Sequence, residues 1–186
     1  MLMVFFSSTL SATEIYLAGG CFWCTEKSFE TFPGVTSSVS GYCNGKKSTA
    51  NYRDVSTGKT SHRECVKISY DKQAIELERL LENYIKSINP MDLEGQFSDR
   101  GSQYKIEMYF ENDRQKKIYK NIIDQINNKN IYPQKINVPI LPFISFFPAE
   151  NYHQDYYKKN PLHYQQYEKL SGRKKFLQQY SERFNK

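Results

Sequence analysis

Glu14-Ile15-Tyr16-Leu17-Ala18-Gly19-Gly20-Cys21-Phe22-Trp23-Cys24-Thr25-Glu26 joins a short apolar run to a pair of thiols through two glycines. The run from Glu14 to Ala18 reads as a short buried strand. Phe22, Phe29 and Phe32, with Glu26 and Glu30 between them, predict a helix over 22–32 that Pro33-Gly34 stops. A cysteine at the first turn of such a helix meets the N-terminal field and nearby backbone N–H groups, which favour the thiolate. The thiolate is the nucleophile, so the turn reads as chemistry, although an isolated cysteine is more often a small buried residue.

Working outward, Val35 to Tyr42 alternates as a second strand, and Cys43 to Asn51 is a polar loop. Cys65 to Tyr70 is strand-like. Residues 75–88 carry Ile75, Leu77, Leu80, Leu81, Tyr84, Ile85 and Ile88 at helical spacing, and Asn89-Pro90 ends that helix. Gln103 to Phe110 predicts a strand and Glu111 to Asn130 a second amphipathic helix. Ile136 to Phe147 reads as extended, but Pro139 and Pro142 argue against a central strand. The order βα, ββα, βα points to a two-layer α/β or α+β domain. From Asn151 onward, tyrosines scattered among Lys and Gln predict a tail that wraps the surface, its tyrosines used for packing.

The chain has 186 residues, enough for a single domain with its own core and no need of staples. Its four cysteines, Cys21, Cys24, Cys43 and Cys65, crowd into the first third, which fits redox chemistry better than a stabilising disulfide framework. The net charge of +6 is spread among acidic residues; only Gly172-Arg173-Lys174-Lys175 is a short basic cluster, so neither a nucleic-acid surface nor a membrane partner is expected. Residues 1–12 pass from apolar to small residues and resemble the end of an export signal without its basic start, with an apolar N-terminal arm as the alternative, so a periplasmic or exported protein is expected, otherwise a cytoplasmic one. Residues 13–186 form the domain.

A nucleophile beside Phe22 and Trp23 needs a proton donor and groups that polarise the bond under attack. Tyr52-Arg53-Asp54-Val55, Thr60-Ser61-His62-Arg63-Glu64-Cys65 and Asp99-Arg100-Gly101-Ser102-Gln103-Tyr104 are the segments able to supply them. Other classes share parts of this pattern. Cys21, Cys24, Cys43, His62 and Cys65 include zinc-ligand types, but the second closely spaced pair is missing. A thioredoxin-like disulfide oxidoreductase shares the Cys-x-x-Cys turn and leaves Glu64, Tyr52 and 99–104 without a role. A noncatalytic binding module with a redox-sensitive clasp is the third class.

Gly-Cys-Phe-Trp at 20–23, Ser-Gly-Tyr at 40–42, Tyr-Arg-Asp-Val at 52–55, His-x-Glu at 62–64, Asp-Arg-Gly-Ser-Gln-Tyr at 99–104 and Pro-Ala-Glu-x-Tyr-His-Gln at 148–154 span nearly the whole chain. In these motifs and their order the chain resembles the A-type peptide-methionine sulfoxide reductases, which reduce the S epimer of methionine sulfoxide. The resemblance implies a mixed sheet with a ferredoxin-like core and a long irregular C-terminal tail. It implies Cys21 as nucleophile on the sulfoxide sulfur and Glu64 as the acid that protonates the oxygen. Phe22 and Trp23 would hold the S-methyl group, Tyr52 and Tyr104 would hydrogen-bond the oxygen, and Asp99 would orient that network. A sulfoxide is a poor electrophile until its oxygen takes a proton, so Glu64 must stay neutral near pH 7.

The implied cycle needs no cofactor: electrons come from thioredoxin or a thioredoxin-like dithiol, or from dithiothreitol in vitro, to a monomer acting on oxidised methionine in peptides or proteins. Two departures stand out. Position 24 is cysteine where the family usually has glycine, and the C-terminal resolving cysteine of many members is missing, so the resemblance leaves Cys24 as the resolving thiol ahead of Cys43 and Cys65. Phe97-Ser98 replaces the usual Gly-Asn before Asp99. Of the histidines, His62 is expected to hold a strand end by hydrogen bonding and His153 to brace the tail.

Overall fold

The structure, a computed structural model, describes residues 13–185. The export-signal reading of residues 1–12 lies outside them. Strand β1 (Thr13–Gly19) runs through the glycine bend into helix α1 (Phe22–Glu30), which returns to β2 (Val35–Cys43). A single helical turn, α2 (Tyr52–Val55), precedes β3 (Arg63–Tyr70) and α3 (Leu77–Ser87). A small hairpin of β4 (Gly95–Gln96) and β5 (Asp99–Arg100) leads to β6 (Ile106–Phe110) and α4 (Asp113–Asn128). Strands β7 (Ile140–Pro142) and β8 (Phe146–Pro148) are followed by α5 (Tyr156–Lys159), α6 (Pro161–Leu170) and α7 (Arg173–Ser181).

The main sheet has six strands in the order β7-β6-β1-β3-β2-β8. Among the described residues only β6 and β7 pair in parallel, which makes the sheet mixed. Its central strands, β6-β1-β3-β2, are antiparallel neighbours with α1 and α3 as connections, the ferredoxin-like arrangement. Strand alternation sends Ile15, Leu17, Val66, Ile68, Ile106 and Met108 to one face, where Phe22, Phe29, Leu81, Tyr84, Ile85 and Tyr119 from the helices close the core. On the opposite face Tyr16, Ala18, Cys43, Cys65 and Tyr109 form a smaller cluster roofed by Phe143 and Phe146. The prolines of 139–148 fall where expected, since β7 and β8 are the two edges.

The structure corrects the sequence reading in three places. Residues 102–104 form a 3-10 turn and the strand starts at Ile106. Gly101 takes φ 129°, and the Gln103 side chain donates to Ser56 O at 3.2 Å, so this stretch is tied to the α2 loop instead of the sheet. The tail is helical and not irregular. Pro161 occupies the first turn of α6, Gly172 at φ 80° separates α6 from α7, and Tyr164, Arg173 and Tyr180 turn inward as anchors. So few inward residues on otherwise polar helices leave little periodic signal.

The third correction concerns the cysteines. Cys43 and Cys65 form a disulfide between β2 and β3, with Cα atoms 5.9 Å apart. Both are fully buried on the sheet face away from α1 and α3, while their neighbours Tyr42 and Glu64 point to the helix side. The redox reading without structural disulfides therefore holds for the free pair Cys21 and Cys24 only. The bond also withdraws Cys43 and Cys65 from any zinc-ligand set.

Candidate active site

The site starts at the glycine bend. Gly20 has φ 81°, and a Cβ there would sit 2.5 Å from Gln96 Cβ, so both backbone conformation and space require glycine. The bend sets Cys21 as the cap of α1, where its carbonyl accepts from Cys24 N at 3.1 Å and Thr25 N at 3.4 Å. The next free donor, Phe22 N, points across to β3 and reaches Glu64 Oε2 at 3.0 Å. A helix start thus holds a thiol and a carboxyl against one another.

Glu64 is 2 % exposed and shares its face of β3 with Val66 and Ile68. Burial pushes its pKa up to about 8; the Phe22 N–H opposes that, and the charges of Asp99 and Cys24 add to it. At neutral pH Glu64 is therefore a neutral acid with a proton to give.

Cys21 and Cys24 are 6 % and 5 % exposed and pack together with Tyr164. The hydrogen bond from Cys21 lowers Cys24 to about 6 against the effect of burial, with support from the Arg173 charge and the Tyr164 hydroxyl. Burial pushes Cys21 up, and the bond to Cys24 adds to that. The first ionisation belongs to the pair, one proton being shared by two sulfurs. The Tyr164 hydroxyl stands 3.5 Å from Cys24 Sγ.

The remaining expected residues surround this centre. Phe22 lies in the core, and Trp23 is half-buried above it, with ring centroids 6.3 Å apart. Burial, and then the charge of Glu64, push Tyr52 and Tyr104 above the ordinary tyrosine value, so both hydroxyls remain donors. Asp99 accepts a hydrogen bond from the Tyr167 hydroxyl; burial raises its pKa and that bond works against the rise. Phe97 adopts φ 58°, the left-handed turn that carries the β4–β5 hairpin round to Asp99.

Several side chains at the site were read in the sequence only as motif or packing residues. His153, 2 % exposed, accepts from Trp23 Nε1 at 3.1 Å and packs 4.4 Å from the Tyr52 ring, so it braces the aromatic wall as well as the tail. Tyr156 stacks on Trp23 with centroids 3.7 Å apart. Glu150 ties Tyr42 Oη at 2.7 Å to Tyr52 N at 2.9 Å. These residues come from the motif at 148–154 and the tail, whose pattern pointed only to packing. His62 behaves as expected, its Nε2 bonded to Lys46 O at 3.0 Å.

Comparison with known proteins agrees with this geometry. The family profile described as peptide methionine sulfoxide reductase matches residues 13–184. Peptide methionine sulfoxide reductase MsrA 2 of Staphylococcus aureus is 45% identical over 162 residues, covering 87% of this chain and 92% of that protein. Mxr1 of Saccharomyces cerevisiae in its reduced form superposes with a TM-score of 0.75 at 30% identity, over 81% of this chain and 86% of that one. Methionine sulfoxide reductase A of Corynebacterium diphtheriae gives 0.71 at 28% identity, over 83% and 78%. The thiol pair, the neutral carboxyl and the aromatic wall thus sit on a known frame, and the chain belongs to the peptide methionine sulfoxide reductase family, A type.

Proposed function

We propose that this chain reduces the S epimer of methionine sulfoxide to methionine, with Cys21 as nucleophile, Glu64 as general acid and Cys24 as resolving thiol. One observation carries the assignment: a buried thiol pair at the start of α1 lies against a carboxyl that burial keeps protonated, joined through Phe22 N–H to Glu64 Oε2 at 3.0 Å. The sulfoxide's methyl group packs on Phe22 and Trp23, and its oxygen accepts from Glu64, Tyr52 and Tyr104. When the pair's proton moves from Cys21 to Cys24, the Cys21 thiolate attacks sulfur while Glu64 protonates oxygen. The S–O bond breaks as oxygen passes to Cys21, which becomes a sulfenic acid, and methionine leaves.

Cys24, one helical turn along, then displaces the sulfenic oxygen as water, giving a Cys21–Cys24 disulfide. Two electrons from an external dithiol restore the thiols. Mxr1 has been solved in complex with Trx2; for this chain a thioredoxin-type dithiol is the proposed reductant. The Cys43–Cys65 disulfide, behind the sheet, stays outside the cycle and supports an exported setting, since buried disulfides persist in oxidising compartments.

The test presents the reduced protein with a methionine S-sulfoxide peptide and its R epimer, in dithiothreitol. Methionine should form from the S epimer alone, and the Cys21→Ser variant should lose it while keeping the fold. Equal use of both epimers, or turnover by Cys21→Ser above a few per cent of wild type, contradicts the reading.

A further inference from the structure

Arg173 opens α7 and is 3 % exposed, yet no acidic side chain among the described residues forms an ion pair with it. Its Nη1 donates to Ser87 O at 2.6 Å and its Nη2 to Gly19 O at 3.4 Å. The guanidinium carbon lies 4.6 Å from the Phe97 ring centroid, and Nε is buried without a partner. Two neutral carbonyls and a ring face do not neutralise a guanidinium taken out of water. The balancing charge has to come from the groups packed round it.

Those groups belong to three elements. Tyr164 and Tyr167 of α6 are kept protonated by burial. Asp99 of β5 feels the guanidinium but, among the described residues, forms no ion pair with it, and its carboxylate accepts from the Tyr167 hydroxyl. The thiols at the β1–α1 junction follow directly on Gly19 and Gly20, which the guanidinium touches. Burial works against the charge on Arg173, and Cys24 heads the groups that support it. Nη2 would also stand 3.4 Å from a Cβ on Gly20, the residue before Cys21.

The geometry points to Arg173 as the counter-ion of the Cys21–Cys24 pair, a positioning residue sent from the C-terminal helix to keep one buried thiolate beside Gly19 and Gly20. The inference rests on these thiols being the reactive pair. A guanidinium suits this place because its single fork fastens the end of β1 through Gly19 O and supplies the charge the pair needs to lose its first proton. In the disulfide form that negative charge is gone, so Arg173 distinguishes the two redox states of the site.

The test follows iodoacetamide modification of Cys21 and Cys24, separately by mass spectrometry, from pH 5 to pH 10 in the reduced full chain. Wild type should show a first midpoint below the roughly 8.5 of an ordinary thiol. Arg173→Lys keeps the charge and should stay within a few tenths of wild type. Arg173→Met should move the midpoint up by about one pH unit or more, which slows alkylation at acidic pH by about tenfold. An unmoved midpoint in folded Arg173→Met, even with a lowered Tm, reduces the residue to tying carbonyls and overturns the proposal. A wild-type midpoint at or above about 8.5 overturns it without any variant. Should Arg173→Met not fold, Arg173→Gln is read by the same criterion. No sulfoxide is present in this assay, so its outcome and that of the turnover assay are independent.

Discussion

A proton is the scarce reagent at this site, and Glu64 holds it. Its pKa of about 8 predicts that kcat is level through neutral pH and falls by about tenfold per pH unit above 8, as the acid is lost. Glu64→Gln should bind sulfoxide yet slow the chemical step by roughly two to four orders of magnitude in single-turnover release of methionine. The same residue shapes stability. Its folded value lies above the unfolded 4.5, so the stability it lends is complete below 4.5 and disappears as the pH rises through about 8. Glu64→Gln resembles the neutral form and should show a flatter Tm between pH 5 and 9 than wild type. The residues proposed to touch sulfoxide were legible because their types and spacings sit in compact motifs. The role of Arg173 was not, because a buried guanidinium carries no local pattern and is defined only by what the fold brings to it, and His153 was read as a brace of the tail without its bond to Trp23.

At the scale of elements, the bend between β1 and α1 does the placing. Gly20→Ala forces a side chain into φ 81° and against Gln96, a backbone cost of about 1–3 kcal/mol. Relief requires moving Cys21 or the β4–β5 hairpin that bears Asp99. Denaturant unfolding should therefore show the loss of stability, and kcat/KM should fall further than stability alone explains; a variant with wild-type kcat/KM contradicts the role given to the bend. The long elements were readable in sequence: α3 and α4 bury Leu80, Leu81, Tyr84, Ile85 and Tyr119, Ile122, Ile123, Ile126 at helical spacing. α6 buries only Tyr164 and α7 only Arg173 and Tyr180, so periodicity had almost nothing to register. The 3-10 turn at 102–104 misled for a different reason, since its register depends on a side-chain bond from Gln103 to a loop 47 residues earlier in the chain.

At the scale of the molecule, the sheet separates two kinds of cysteine chemistry. On one side the free pair faces Glu64 and the aromatic wall; on the other the Cys43–Cys65 bond pins β2 to β3 directly behind Glu64. Replacing both Cys43 and Cys65 by serine should cost about 2–4 kcal/mol in denaturant unfolding and leave the reduction of sulfoxide intact at low temperature. Loss of turnover in the folded variant would draw the second pair into the cycle. The strand-to-helix order predicted a two-layer α/β domain and the family resemblance its ferredoxin-like centre, whereas nothing in the cysteine spacing alone tells a bridge between neighbouring strands from a redox pair. The central claim, that Cys21 takes the sulfoxide oxygen and Cys24 resolves it, is tested most directly by one quenched turnover of Cys24→Ser with a methionine S-sulfoxide peptide in the presence of dimedone. One equivalent of methionine and a dimedone adduct on Cys21 is the predicted result; no methionine, or an adduct on any other cysteine, contradicts it.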